Sequence, residues 1–387
     1  MLDVVDLTRT LVRFNTVNPP GNEEACAVYV GRLLEDAGLT ISAHESAAGR
    51  TTIVARLRGS NGAPALCYTG HLDTVPVGTE PWLHDPFGGE LADGRVHGRG
   101  ASDMKGGVAA LVVAARRLAR LPERPTLVLV ITAGEETGCE GAFHLARTTD
   151  ALDGIGAILV AEPTDNYPML GHRGALWLEV RVRGQSAHGA TPELGVNAIH
   201  RAARGLVRLE GMRLDDRTDA LLGAASFNVG TIRGGSSPNM VPDSVTLGFD
   251  LRTLPRQRPE ELVRQLRGAF EGEVELTTLI DVPSVITPSD DPWVQLVFEV
   301  MAPMLGEMPS PRAAAFFTDA AALREAARGA PTVILGPGAP ELAHRPNESC
   351  SVERIEAAVE AYVQIASAWA ARRGAGSPGA VKTSAAC

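Results

Sequence analysis

Two adjacent carboxylates, Glu135 and Glu136, follow an apolar run in the segment LVLVITAGEETG, residues 127–138. The run has the length and β-branched content of a strand buried on both faces. In an open α/β sheet, ligands sit just beyond the carboxyl ends of the strands. Acidic side chains forced together there repel each other unless a cation neutralises them; the plainer alternative is a pair of solvated turn residues. Three further apolar runs deliver residues of the same kind. Residues 65–69 lead into GHLDTVP with His71 and Asp73, residues 157–160 into AEPT with Glu162, and residues 332–335 into GPGAPELAHRPNE with His344. Packing a core strand requires none of these side chains.

The candidates His71, Asp103, Glu136, Glu162 and His344 form a mixed nitrogen and oxygen donor set that suits Zn²⁺, with Co²⁺ or Mn²⁺ as substitutes. Three carboxylates exceed what one tetrahedral ion uses, whereas two ions sharing a bridging carboxylate would employ all five residues. His71 and Asp73 lie two apart and share a face of an extended segment. Asp103 follows a glycine-rich loop and precedes a helical pattern at 104–120, where a carboxylate also suits the helix dipole and could be a simple cap. The GRG of that loop resembles half of a dinucleotide fingerprint, but it lacks the strand–turn–helix context and is discounted.

These residues need elements to hold them. Helical periodicity covers 4–14 and 23–37, and strands are expected at 51–57, 65–69, 127–132, 157–160 and 332–335. The middle of the chain differs: residues 176–184 alternate strictly, as in a strand buried on one face only. Helices at 196–209 and 259–270 and strands at 226–233, 244–252 and 273–280 complete a β-α-β-β-α-β order, which matches a ferredoxin-like unit. The fold class is therefore α/β, with a mixed, mostly parallel sheet flanked by helices and an inserted ferredoxin-like α+β domain. The boundaries read as 1–174 and 288–372 for the metal-binding catalytic domain and 175–287 for the insertion. A small, polar tail at 373–387 reads as disordered.

A chain of 387 residues with 44% hydrophobic content has length for two domains of roughly 100–200 residues each and ample core. A net charge of −10 without a basic stripe argues against nucleic-acid or anionic-membrane partners. Cys26, Cys67, Cys139, Cys350 and Cys387 are scattered without C-x-x-C spacing, as thiols in a reducing compartment would be. With neither a signal-peptide pattern nor an apolar run long enough for a membrane span, the expected location is cytoplasmic.

As a set, GHLDTVP, GRGASDMKGG, TAGEETG, AEPT, SAHGATPELGVNAI, GGSSPNMVPDSVTLGFDLR and AHRPNE resemble a known family across residues 70–348. It is that of the dinuclear zinc amidohydrolases and exopeptidases, which includes acetylornithine deacetylase, succinyl-diaminopimelate desuccinylase, aminoacylase and glutamate carboxypeptidase. The resemblance implies two Zn²⁺ per subunit bridged by Asp103, with His71 and Glu162 completing one site and Glu136 and His344 the other. It makes Asp73 the residue that orients His71, and Glu135 the general base acting on a water. It also implies that His188 donates to the developing oxyanion, reaching the site of a partner subunit in a homodimer formed through the inserted domain. Asn239 and Arg252 would bind a substrate carboxylate, and Arg173, Thr318 and Asp319 are weaker candidates for substrate contact. The implied activity is hydrolysis of an N-acyl-L-amino acid. The alternative is a glutamate-carboxypeptidase-like metalloexopeptidase or dipeptidase, and a non-catalytic metal-bound scaffold is the rival that a second glutamate at 135 argues against.

Overall fold

The computed structural model describes residues 2–60 and 62–374, which divide into two compact units. The first holds the chain through Leu170, Thr287–Pro311, and the residues from Thr318 onward. It begins with α1 (Val4–Val12), α2 (Glu24–Glu35), β1 (Thr40–Ala47), β2 (Arg50–Leu57) and β3 (Ala65–His71). α3 (Gly106–Leu118), β4 (Leu127–Thr132), α4 (Glu140–Thr148) and β5 (Ile155–Val160) follow. The second unit, Gly171–Ile286 with Arg312–Phe317, runs β6 (Gly174–Arg183), α5 (Ala198–Leu209), β7 (Ser226–Gly234), β8 (Ser244–Thr253), α6 (Pro259–Arg267) and β9 (Val274–Val282). The chain returns to the first unit through α7 (Pro292–Leu305), α8 (Ala320–Ala326), β10 (Thr332–Ile334) and α9 (Val352–Gly374).

The sheet of the first unit has the order β1-β2-β4-β3-β5-β10. Strands β4, β3, β5 and β10 are parallel, and β2 and β1 extend the sheet antiparallel from β4. Every residue of β3 and β4 is buried, so their sequences are continuous apolar runs instead of alternations. Helices flank this sheet: α3, itself buried, packs on α1, α2 and α9, while α4 packs on α8, β1 and β2. Gly107 in α3 is required by close approach, because a Cβ there would stand 2.2 Å from the Ala161 carbonyl oxygen. Gly336 comes equally close to the same carbonyl, with 2.2 Å between its would-be Cβ and that oxygen. The segment leaving β5 is thus seated against backbone. One consequence governs the rest: parallel strands put their carboxyl ends, and the residues that follow them, along one edge.

The second unit is an antiparallel sheet in the order β7-β8-β6-β9, the ferredoxin-like arrangement of its β-α-β-β-α-β chain. Leu176, Leu178, Val180 and Val182 of β6 and Val245, Leu247, Phe249 and Leu251 of β8 share a core with α5 and α6. Their intervening neighbours face away from it, which is what strict alternation predicts for a sheet covered on one side. β7 is an edge strand exposed along nearly all its length.

Several expectations change. Helix α3 starts at Gly106 instead of 104, because Asp103 (φ −124°, ψ 94°) and Met104 leave helical geometry. Residues 312–317 group with the second unit, although the sequence reading ran the returning segment unbroken from 288. Strand β1 and helices α4, α8 and α9 were not anticipated. Helix α9 continues to Gly374, past the expected start of the disordered tail at 373; residues 375–387 of that tail, with Cys387, lie outside the described residues. Cys26, Cys67, Cys139 and Cys350 are free and buried. No described helix is long and apolar enough to cross a membrane.

Replacing Gly107 by Ala should cost about 1–3 kcal/mol despite alanine's better helix propensity, since a methyl group cannot swing away from a main-chain oxygen. A lowered thermal midpoint checks this, and an unchanged midpoint would contradict the close seating.

Candidate metal centre

The carboxyl edge of the parallel strands gathers the predicted donors. His71 is the last residue of β3, Glu162 lies two residues past β5, and Glu135 and Glu136 lie in the turn after β4. Asp103 comes from the irregular turn before α3, and His344 from the loop after β10, with its backbone in the left-handed region at φ 62°. Asp103 divides its two oxygens between the imidazoles: Oδ1 is 3.2 Å from His71 Nε2, and Oδ2 is 3.3 Å from His344 Nε2. Around His71 Nε2 stand Glu162 Oε1 at 3.6 Å and Glu135 Oε2 at 4.0 Å. On the other side of Asp103, Glu136 Oε2 is 3.1 Å from His344 Nε2. The neighbouring glutamates therefore address different halves of one cluster.

These groups fit a pair of divalent cations. Ligand atoms 2.0–2.1 Å from a tetrahedral ion stand about 3.3 Å apart, close to the separations found here. Glu135 Oε1 and Glu136 Oε1 are buried and lack hydrogen-bond partners within the described residues, a costly arrangement for carboxylates that nothing neutralises. With only protein groups as counter-charges, the protons redistribute. Burial pushes Glu135 and Glu162 well above the usual carboxylate range, reinforced at Glu162 by the Asp103 charge and at Glu135 by Glu162 and Glu136. Burial and Asp103 raise Glu136 as well. Burial opposes protonation of His71, but the Glu162 charge and hydrogen bonds to Asp103 and Asp73 carry it well above its ordinary value. Hydrogen bonds to Asp103 and Glu136 lift His344 to about 10. Burial opposes ionisation of Asp103, yet those two imidazoles hold its carboxyl below the usual range. The positive charges occupy the places that cations would take, and metal binding would release those protons.

Asp73 holds the cluster from behind. His71 Nδ1 lies 3.0 Å from the Asp73 main-chain carbonyl and 3.5 Å from its carboxylate. His71 is thus oriented chiefly through the Asp73 backbone, which directs Nε2 toward Asp103. The carboxylate has other work: Oδ1 and Oδ2 accept the main-chain N–H groups of Glu135 and Glu136, each at 3.1 Å. Asn18, absent from the sequence-derived set, donates to Asp73 Oδ2 and to Thr137 Oγ1, each at 2.9 Å. Its only sequence signal was membership of the NPPG loop, to which no chemistry attached.

Thr318 and Asp319 are buried. Thr318 Oγ1 accepts the Ala320 N–H at the start of α8, and Asp319 accepts the Thr132 hydroxyl at the end of β4. Within the second unit, His188 is exposed, and its Nδ1 accepts the Ala190 N–H at 3.0 Å, which assigns the proton of a neutral ring to Nε2. The Gly189 N–H donates to the Asn239 carbonyl at 2.8 Å, so His188 and Asn239 lie on adjoining loops. Arg252 is partly buried and paired with Asp250, with its Nε 3.1 Å from Oδ1 and its guanidinium 5.9 Å above the Phe317 ring. Arg173 donates to the Ala224 carbonyl at 3.2 Å.

The chain is similar to known proteins over most of its length. Residues 67–368 match the model of peptidase family M20/M25/M40. The acetylornithine deacetylase of Aliivibrio salmonicida is 30% identical over 335 residues, covering 83% of this chain and 85% of that protein. The acetylornithine deacetylase of Proteus mirabilis is 29% identical over 361 residues, covering 89% of each. Among solved structures, the M20 family metallo-carboxypeptidase Sso-CP2 of Sulfolobus solfataricus superposes with a TM-score of 0.80 at 18% identity, over 96% of this chain and 100% of that one. A tripeptidase of Staphylococcus aureus gives a TM-score of 0.78 at 23% identity, over 95% and 98%. The chain belongs to peptidase family M20/M25/M40 and is a metal-dependent hydrolase acting on carbon–nitrogen bonds.

Proposed function

We propose that the protein hydrolyses the amide bond of an N-acyl-L-amino acid, in the manner of an acetylornithine deacetylase or a succinyl-diaminopimelate desuccinylase. The observation that carries its two-cation chemistry is Asp103, whose two oxygens face two imidazoles and split the donors into two sets, while the similarity to acetylornithine deacetylases supports the substrate class. His71, Glu162 and Asp103 would hold one cation, and Glu136, His344 and Asp103 the other, with Zn²⁺ the expected metal and Co²⁺ or Mn²⁺ as substitutes. Bound there, the pair would supply Lewis acidity, polarising the scissile carbonyl and lowering the pKa of the attacking water.

Glu135 is the general base in this account. Its Oε1 is buried without a hydrogen-bond partner among the described residues and its backbone is fixed by Asp73; bound cations would favour its ionised form, which can then take a proton. It removes the proton as the water oxygen attacks the carbonyl carbon, then returns it to the nitrogen as the C–N bond breaks. His188 offers Nε2–H to the oxyanion that develops on the carbonyl oxygen. Asn239 and Arg252 bind the amino-acid carboxylate; Asp250 engages Nε and Nη2 of Arg252, which leaves Nη1 to donate. His188 acts across a homodimer formed through the second unit. Supporting that interface are the unpaired edge of β7, with Ile232 58% exposed, and Val207 on α5, 68% exposed. Four buried free thiols accord with a cytoplasmic protein.

Glu135→Gln should lower kcat about 10²–10⁴-fold while the bound metal stays at the parental level; parental turnover would remove Glu135 from the mechanism. In a panel of N-acetyl and N-succinyl amino acids and dipeptides assayed with Zn²⁺ or Co²⁺, the acylated amino acids should be cleaved in preference. A preference for dipeptides would instead favour the exopeptidase or dipeptidase reading. Ile232→Glu places a charge on the exposed edge and should convert a dimer to monomers in sedimentation, with turnover lost alongside. Fully active monomers would overturn the role of His188 in a partner's site.

A further inference from the structure

Behind the cluster lies a buried ion pair that the mechanism does not use. Glu348, 1% exposed, follows His344 by four residues, and Arg99, 2% exposed, precedes Asp103 by four. Each carboxylate oxygen of Glu348 accepts two hydrogen bonds. Oε2 takes Arg99 Nη1 at 2.6 Å and the Gly100 N–H at 3.0 Å. Oε1 takes the Ser102 N–H at 2.8 Å and the Asp103 N–H at 3.0 Å. Arg99 reaches further, donating from Nη1 to the Arg345 carbonyl at 3.2 Å and from Nη2 to the Pro76 carbonyl at 3.1 Å. Its guanidinium also lies 5.1 Å above the Trp82 ring. One side-chain pair therefore joins three loops: the one after His71, the one ending at Asp103, and the one carrying His344.

A buried ion pair is poor evidence of a need for stability, since well-packed apolar residues often serve as well. An apolar pair could not, however, accept the main-chain N–H of Asp103. That residue lies outside helical geometry and has no ladder to fix it, whereas His71 ends a paired strand and Glu162 follows another. We propose that Arg99 and Glu348 are positioning residues that set the separation of Asp103 from His344, and thereby control retention of the cation held by Glu136, His344 and Asp103 more than that of its neighbour. The inference rests on the ligand assignment proposed above. It is differential because only the first of these cations takes two ligands from segments tied by Glu348.

The test is titration of Co²⁺ into the metal-depleted full chain, following heat and the visible d–d absorption. The parent should bind two equivalents. Glu348→Gln keeps the side-chain volume but sets an NH₂ against main-chain donors, so one equivalent should bind as in the parent and the other about 10–100-fold more weakly, with an altered spectrum. Arg99→Lys retains the charge without the fork and should fall between the two; it decides the matter on the same criterion if Glu348→Gln does not fold. Equal weakening of both equivalents, or of neither, would overturn the positioning role. A parent that binds only one equivalent would overturn the ligand assignment first, and the proposal with it.

Discussion

Four carboxylates, from Asp103, Glu135, Glu136 and Glu162, crowd around buried His71 and the more exposed His344, and their mutual repulsion is the constraint on which the site depends. Burying like charges together is unfavourable unless opposite charge is brought to them. The protein's own groups achieve only a partial balance: protonation of His71 and His344 is favoured, and three glutamate side chains are pushed toward the neutral form. Bound cations would replace those protons and engage the imidazole lone pairs. What balances the cluster with protons and what suits it to metal are thus the same electrostatics, read with protons or with ions.

The fold holds the cluster together by main-chain means. Parallel β4, β3, β5 and β10 align their carboxyl ends, and the bare backbones of Gly107 and Gly336 let neighbouring segments seat against the Ala161 carbonyl beside Glu162. Asp73 then accepts the N–H groups of both Glu135 and Glu136 while its carbonyl orients His71. Holding both amides of the pair leaves their side chains to point different ways. One adjacent pair can therefore provide a ligand facing His344 and an unpartnered oxygen suited to proton transfer.

Much of this was legible in the amino-acid sequence, for physical reasons that also explain the omissions. A strand buried on both faces must be continuously apolar, so β3, β4 and β5 announced themselves, and the charged residues after them stood out. The one-sided sheet of the second unit alternated and was recognised by that. Strand β1 lies on the solvated antiparallel edge and carries the polar sequence TISAHESA, which has neither signature. Asn18, Arg99 and Glu348 escaped because their partners lie far away in the chain, and Arg99 and Glu348 act largely on main-chain atoms that no spacing rule can identify. Thr318 and Asp319 stood out only through the resemblance, while their buried hydrogen bonds to α8 and β4 had no signal in the sequence. The separate roles of Glu135 and Glu136 came from the family resemblance; composition and spacing showed only that they were an unusual pair.

The most direct test of this account is diffraction from crystals of the zinc-loaded protein, with anomalous differences recorded on both sides of the zinc absorption edge. The account predicts two anomalous peaks per chain on either side of Asp103, one coordinated by His71 and Glu162 and the other by Glu136 and His344, with Glu135 bound to neither. A single peak, or a peak ligated by Glu135, would contradict it.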